Sequence, residues 1–373
     1  MLKIFIIFIT IIQFASSWWL LSQVSNKDEA VTISDVNCAS LPGLNRRQRE
    51  LCQNYPTAVS IVISGLNKAV YECRNQFKEE QWNCTGDNGF GVAPYKIASR
   101  ESAFVYAISS AAISHTLAKA CSQGIIPNCG CGQLPMNTRQ NTDFMWSGCS
   151  DNIRFGNSFG RKFMDNVEKQ HMDARALMNL HNNKAARKLL ASKMQKTCKC
   201  HGVSGSCVTK TCWKTVPKFD EFARFLKEKY ERAQQVTTSP QNNELIVRST
   251  HYTVVSSSPN EKIFSPINSI EHTLVRSGRF LKEEKYQQPR FAGNGELVFL
   301  DQSPDYCIFD SKNEIKGTSG RECTSKTCPK LCCGRGWTTV RELKQEPCHC
   351  KFIYCCEVKC QTCTRIVEKH YCR

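Results

Sequence analysis

CKCHGVSGSCVTKTC, residues 198–212, places four cysteines so that one pair can nest inside another. Cys198 with Cys212 and Cys200 with Cys207 would clamp a hairpin whose tip runs from His201 to Ser206. Closing so short a loop restricts the unfolded chain by roughly 2–3 kcal/mol in the chain-entropy picture. Gly202 and Gly205 permit the positive φ angles of a tight tip. The product is small, rigid and exposed, a device for presenting a group to a partner.

Catalysis fits this stretch poorly. His201 lies near Ser204 and Ser206, but the nucleophile elbow G-x-S-x-G fails because Ser206 stands where its second glycine belongs. A cystine-closed tip of this size can neither bury a triad nor surround an oxyanion. Paired carboxylates, a phosphate loop and a Walker lysine are missing from the sequence, so no catalytic residue is assigned and the chain reads as a non-enzyme.

Working outward, the N-terminus sets the compartment. Lys3, the apolar run Ile4–Ile12 and the small residues Ala15, Ser16 and Ser17 follow the order of a secretory signal peptide, assigned to residues 1–17. The run is too short for a bilayer, which needs about 20 apolar residues. An exported chain with 24 cysteines reads as a disulfide framework. Zinc is the competing use of its C-x-C and C-x-x-C pairs. The eight histidines form no H-x-x-x-H or H-E-x-x-H, and no metal site is assigned. The formal charge of +17 would suggest nucleic acid in a nuclear protein. Outside the cell it points to sulfated glycosaminoglycans, with Arg46, Arg47 and Arg49, or Lys184, Arg187 and Lys188, as contacts. A solvated basic surface with no particular partner is the plain alternative.

Cysteines divide the chain. Twelve lie from Cys38 to Cys212, twelve from Cys307 to Cys372, and none from Trp213 to Tyr306. Even counts let each block close its own bridges. The expected fold is α+β: a helical N-terminal domain with disulfide-clamped hairpins over 18–236, a linker or insertion over 237–306, and a small cystine-rich β-hairpin domain over 307–373. Val59, Val62, Leu66, Val70, Cys73 and Phe77 recur at helical spacing. Ser99 is a candidate cap for a second helix through Phe104, Ile108 and Ala111, with Gly124 as its stop. A third helix is expected from about Met172 to Lys196, and a fourth through Phe219, Phe222, Leu226 and Tyr230. In the polar linker, ELIV and HYTVV are candidate short strands. The last 67 residues hold twelve cysteines and few apolar positions, so bridges must replace a core.

Several stretches together resemble the Wnt family of secreted glycoproteins along nearly the whole mature chain. They are ECRNQF…WNCT (72–85), FMWSGCSDN (144–152), MNLHNNKAAR, CKCHGVSGSC, SPDYC, LCCGRGW and CHCKF…CC…VKC. SSWW, CASLPGL and SPDYC look most like subgroup five. The chain departs from the family at Trp146-Ser147-Gly148-Cys149, where WGGC is usual, and at Ile353-Tyr354, where His-Trp is usual. Its linker is also longer than usual.

The resemblance implies a signalling ligand of the extracellular space and matrix. It would carry a monounsaturated fatty acyl group on Ser206, attached by a Porcupine-type acyltransferase, with Wntless as its carrier during secretion. Some 14 buried CH₂ groups at about 0.8 kcal/mol each give roughly 11 kcal/mol of gross burial. Val203 and Ser206 would enter the cysteine-rich domain of a Frizzled receptor. A second tip, Phe352, Tyr354, Cys355, Cys356 and Val358, would grip that domain from the opposite side. There is a place for a co-receptor of the LRP, ROR or Ryk kind and for heparan sulfate proteoglycans, and none for nucleic acid.

The implied bridges of the first block are Cys38–Cys52, Cys73–Cys84, Cys121–Cys129, Cys131–Cys149, Cys198–Cys212 and Cys200–Cys207. Those of the second are Cys307–Cys333, Cys323–Cys328, Cys332–Cys372, Cys348–Cys363, Cys350–Cys360 and a vicinal Cys355–Cys356. Spacing alone equally allows Cys355 and Cys356 to pair with distant partners. Asn83-Cys84-Thr85 is the single N-x-S/T sequon and the candidate glycosylation site. The rival reading from another class is a non-lipidated, cysteine-rich matrix or inhibitor protein.

Overall fold

Helices begin where short polar side chains can satisfy their first amides. In α1 (Arg46–Asn54) the Asn45 side chain accepts from the Gln48 N–H and the Gln48 side chain accepts from the Asn45 N–H, a reciprocal capping box. Pro56 opens α2 (Pro56–Gln76), and Ala93–Lys96 forms the short α3. Ser99 sits at the N-cap of α4 (Arg100–Ser122), as expected, but its hydroxyl donates to Glu101 Oε2 at 2.6 Å and makes no capping bond. Gly124 ends α4, its N–H donating to Cys121 O while Ile125 N–H reaches Ala120 O.

After β1 (Met145–Trp146) comes α5 (Ile153–Glu168), a helix outside the expected set, capped by Asn152. Asp173 caps α6 (Ala174–Ser192). That helix stops short of the expected Lys196, because Gln195 already belongs to β2 (Gln195–Cys200). Next come β3 (Lys210–Thr215), α7 (Phe219–Glu231), β4 (Gln234–Thr238), β5 (Leu245–Val247), the hairpin β6 (Tyr252–Ser258) and β7 (Glu261–Pro266), and β8 (Val298–Phe299). The C-terminal unit holds β9 (Glu322–Cys323), α8 (Cys328–Leu331), β10 (Trp337–Ile353) and β11 (Glu357–Cys372). This computed structural model describes Trp18, Leu21 and residues 37–84, 90, 93–133, 145–239, 244–248 and 290–373, with the backbone of 252–258 and 261–266. The expected signal segment lies outside the described residues. No described helix is long and apolar enough to cross a membrane.

The architecture is α+β. Helix α4 is buried on every side over most of its length, and α2, α5, α6 and α7 pack around it. Phe77 centres one cluster, with the rings of Trp82 and Phe104 at 4.8 Å and Tyr230 at 4.9 Å, all edge-on. A buried ion pair locks α5 to α6. Arg187 Nη2 lies 2.7 Å from Asp165 Oδ2, and its Nη1 donates to Asp165 Oδ1 at 3.0 Å and Ser110 Oγ at 2.8 Å. Arg187, expected as a polysaccharide contact, is therefore committed to the core. Its basic neighbours Lys184 and Lys188 remain exposed, as do Arg46, Arg47 and Arg49.

The span expected as linker is built into the first unit at both ends, with Leu245 and Val247 of β5 packed against Val236, Val298 and Phe299. Leu297, Val298, Phe299 and Tyr306 are buried. Strand β8 pairs in parallel with β4, and the Asn182 amide of α6 bonds both the N–H and C=O of Val298 at 2.9 Å. This end of the span is core of the first unit. The C-terminal unit buries a small cluster of Cys323, Cys328, Leu331, Cys332 and Cys372, from which β10 and β11 extend as a long antiparallel ribbon. Several contacts dock it to the first unit, among them Ile315 in the core cluster around Phe77 and the Lys96 Nζ bond to Lys312 O at 2.6 Å. Arg321 donates to the carbonyls of Gln81 and Lys78, and Glu80 lies between Lys330 at 2.6 Å and Lys227 at 3.2 Å. Burial alone would push the Glu80 carboxyl up, but the hydrogen bonds from Lys330 and Lys227 outweigh it and hold it below the usual range.

Candidate functional site: two exposed hairpin tips

Strands β2 and β3 pair antiparallel with Cys198 opposite Cys212, which the structure bonds, as it bonds Cys200 to Cys207 nearer the tip. At the base, β1 runs parallel to β3. Asp151 fixes that base, its carboxylate accepting from Val216 N–H at 2.8 Å. The departure from WGGC falls on the tolerant position. Gly148 keeps the demanding φ of 88° against the Trp213 ring, while Ser147 simply donates its N–H to Cys212 O.

The tip itself is a single 3-10 turn, Val203–Gly205. Gly205 takes a positive φ of 78°, but the second left-handed residue is Ser204 at 58°, in place of the expected Gly202. Gly202 serves a different need. Its N–H donates to Ser206 O at 2.8 Å, and a Cβ on it would lie 2.0 Å from Ser206 Oγ and 2.5 Å from Ser206 O. Ser206 is thus seated on the glycine, exposed to solvent. Val203 and Val208 flank it, 90% and 83% exposed. Val208 escaped the sequence reading, though an apolar residue beside a cystine in a two-stranded tip has no interior to enter.

The second tip closes β10 and β11. Cys348–Cys363 and Cys350–Cys360 tie the strands together, and beyond them Phe352 stands directly opposite Val358. Phe352, Tyr354 and Val358 are 69%, 94% and 60% exposed, and Ile353, not among the expected receptor contacts, is also exposed. The vicinal Cys355–Cys356 bridge that the resemblance implies is not formed. Cys355 and Cys356 are free thiols with their Sγ atoms 3.1 Å apart, well beyond a disulfide bond of about 2.05 Å. The hydrogen bond to Cys355 pushes the Cys356 thiol up.

The remaining bridges formed are Cys38–Cys52, Cys73–Cys84, Cys121–Cys129, Cys131–Cys149, Cys307–Cys333, Cys323–Cys328 and Cys332–Cys372. Cys323, Cys328 and Cys332 lie close together, but each is already bonded and offers no thiolate to a metal. Asn83 is half-buried beside the Cys73–Cys84 bridge, on the rim of a cleft of about 250 Å³, and Thr85 of its sequon lies outside the described residues. The two tips and Asn83 are separate features, and the structure brings none of them into a common pocket.

A protein-family model described as the wnt family matches residues 40–373. The chain is 46% identical over 370 residues to Protein mom-2 of Caenorhabditis elegans, covering 96% of this chain and 94% of that relative. It is 37% identical over 369 residues to Protein Wnt-2b of Homo sapiens, covering 96% and 83%. Among solved structures it is similar to that of human WLS in complex with WNT8A. The TM-score is 0.56 and the identity 35%, over 85% of this chain and 94% of that one.

Proposed function

The chain belongs to the Wnt family of secreted signalling ligands, and on that premise we propose that Ser206 carries a monounsaturated fatty acyl chain which the protein inserts into the cysteine-rich domain of a Frizzled-type receptor. The observation that carries this reading is the first tip. It holds Ser206 exposed between Val203 and Val208, with its backbone fixed by the Cys200–Cys207 bridge and the Gly202 N–H. An acyl chain there adds apolar surface to apolar neighbours, and a receptor groove covering all three gains most of its contact from one rigid element.

A Porcupine-type acyltransferase attaches the chain. In transit the lipid needs a carrier, and the complex of the similar WNT8A chain with WLS supports one of that kind. Phe352, Tyr354 and Val358 form the second contact, leaving other surface for a co-receptor of the LRP, ROR or Ryk kind. Asn83 carries an N-glycan. The net charge of +17 supports a sulfated polysaccharide partner, which would hold the ligand in the extracellular matrix.

Mass spectrometry of the cystine-linked 198–212 peptide from cell-expressed protein tests the central claim. The acyl mass should sit on Ser206, vanish in Ser206→Ala together with receptor activation, and persist in Ser204→Ala. An unmodified Ser206 in signalling-competent protein would refute the proposal and favour a non-lipidated matrix or inhibitor protein.

A further inference from the structure

Helices α5 and α6 lie side by side, and the groove between them has a volume of about 640 Å³. Arg154, Arg161 and Lys169 line it from the α5 side, Lys184 and Lys188 from α6. All five are exposed, and none takes part in an ion pair among the described residues. The groove's one carboxylate, Asp165, is neutralised from below by Arg187 and also accepts from Asn183 Nδ2 at 3.2 Å. Five uncompensated cations therefore share one concave surface. No described carboxylate relieves their mutual repulsion, and an anion bound from outside would.

Their spacing selects among anions. At a rise of 1.5 Å per residue, Arg154 and Arg161 lie about 10 Å apart along α5, Lys169 about 12 Å further on, and Lys184 and Lys188 about 6 Å apart on α6. A compact anion reaches one or two of these charges, whereas a linear polyanion laid along the groove meets all of them. Leu180 and Ala191 add apolar lining suited to the faces of sugar rings. We infer that the α5–α6 groove is the seat of a linear sulfated polysaccharide. This rests on the polyanion partner proposed above and assigns it a site. The groove also leaves the first tip uncovered, because no residue of 195–212 lines it. The ligand can be held by the polysaccharide while its tip remains presented.

Binding of the full secreted protein to immobilised heparin, across a range of salt, tests the site. The triple variant Arg161→Gln, Lys184→Gln, Lys188→Gln should bind about tenfold or more weakly at physiological salt. The slope of log K against log salt should fall by roughly two to three, since each lost contact releases about one counterion fewer. Arg46→Gln, Arg47→Gln, Arg49→Gln removes the same charge from α1 and should change the slope by less than about one. Equal weakening of the two variants, or an unchanged groove variant, overturns the site while leaving a polyanion partner intact. A wild-type protein that ignores heparin removes the partner and the site together. Inositol hexakisphosphate, a compact polyanion, should not displace heparin at matched charge, and efficient displacement would overturn the linear ligand.

Discussion

Replacing Gly202 with Ala isolates what holds Ser206 in place. The new methyl would stand 2.0 Å from Ser206 Oγ, 2.5 Å from Ser206 O and 3.0 Å from its carbonyl carbon. Turning the serine side chain relieves the first contact. The second involves main chain, so the peptide at Ser206 must retreat by about 1 Å, and the Gly202 N–H bond to it weakens or breaks. Overpacking costs about 1–3 kcal/mol and the hydrogen bond about 1 kcal/mol, while the flanking bridges keep the hairpin closed. A displacement of this size at a reacting hydroxyl lowers transfer rates by as much as about a hundredfold. Acyl occupancy of the 198–212 peptide from cell lysate should therefore drop to roughly a tenth of wild type or less. Gly205→Ala is the control. It strains a φ of 78° but has no atom within 4 Å, so it should leave most of the acylation in place. Full acylation of Gly202→Ala would refute the idea that this glycine seats the serine. Equal loss in both variants would assign the effect to general disturbance of the turn.

At the second tip, Tyr354→Ala should weaken binding to a Frizzled cysteine-rich domain at least several-fold, hot-spot aromatics being worth about 2 kcal/mol or more, with secretion and acylation unchanged. Tyr354→Trp should match or exceed wild type, and unchanged binding by the alanine variant, measured on immobilised domain, would take this tip out of the mechanism. Burial, and then the charge of Lys68, push the His115 imidazole down to about 3 from 6.5, its Nε2 lying 2.9 Å from Pro217 O. Between those values the unfolded chain binds a proton that the folded chain refuses, so stability is complete above pH 6.5 and falls as pH drops through the window. At pH 5 the loss is about 2 kcal/mol, visible as a lower urea midpoint for wild type than at pH 7, and His115→Gln should lack this component.

Both tips are legible because the nested cysteines of 198–212 and the exposed apolar residues of 352–358 announce themselves locally, whereas the pairing of Cys355 and Cys356 does not follow from spacing. The stripe from Val59 to Phe77 became α2 for the same reason, since a 3.6-residue period implies one buried face. Helix α5 is harder to see in the sequence. Its Phe155, Phe159, Phe163 and Val167 carry a helical period, but glycines at 156 and 160 lower local propensity and blur the signal. Nothing local to Arg187 distinguishes it from Lys184 or Lys188. It differs because Asp165, on another helix, faces it across the core. The burial of 297–299 depends in the same way on the amide of Asn182, more than a hundred residues earlier in the chain.

Val247 and Arg290 lie side by side, the Val247 N–H donating to Arg290 O at 2.9 Å, so the segment between them begins and ends at one place. An excursion with joined ends is thermodynamically forgiving, because each doubling of its length adds only about 0.6 kcal/mol of closure entropy. Neither β4 nor β8, nor either presenting tip, depends on how many residues lie between those two anchors. The segment is therefore a natural splice point. Residues could be added there or removed without refolding the ligand, and a fluorescent domain grafted there would report on secretion and spread while both hairpin tips stay native.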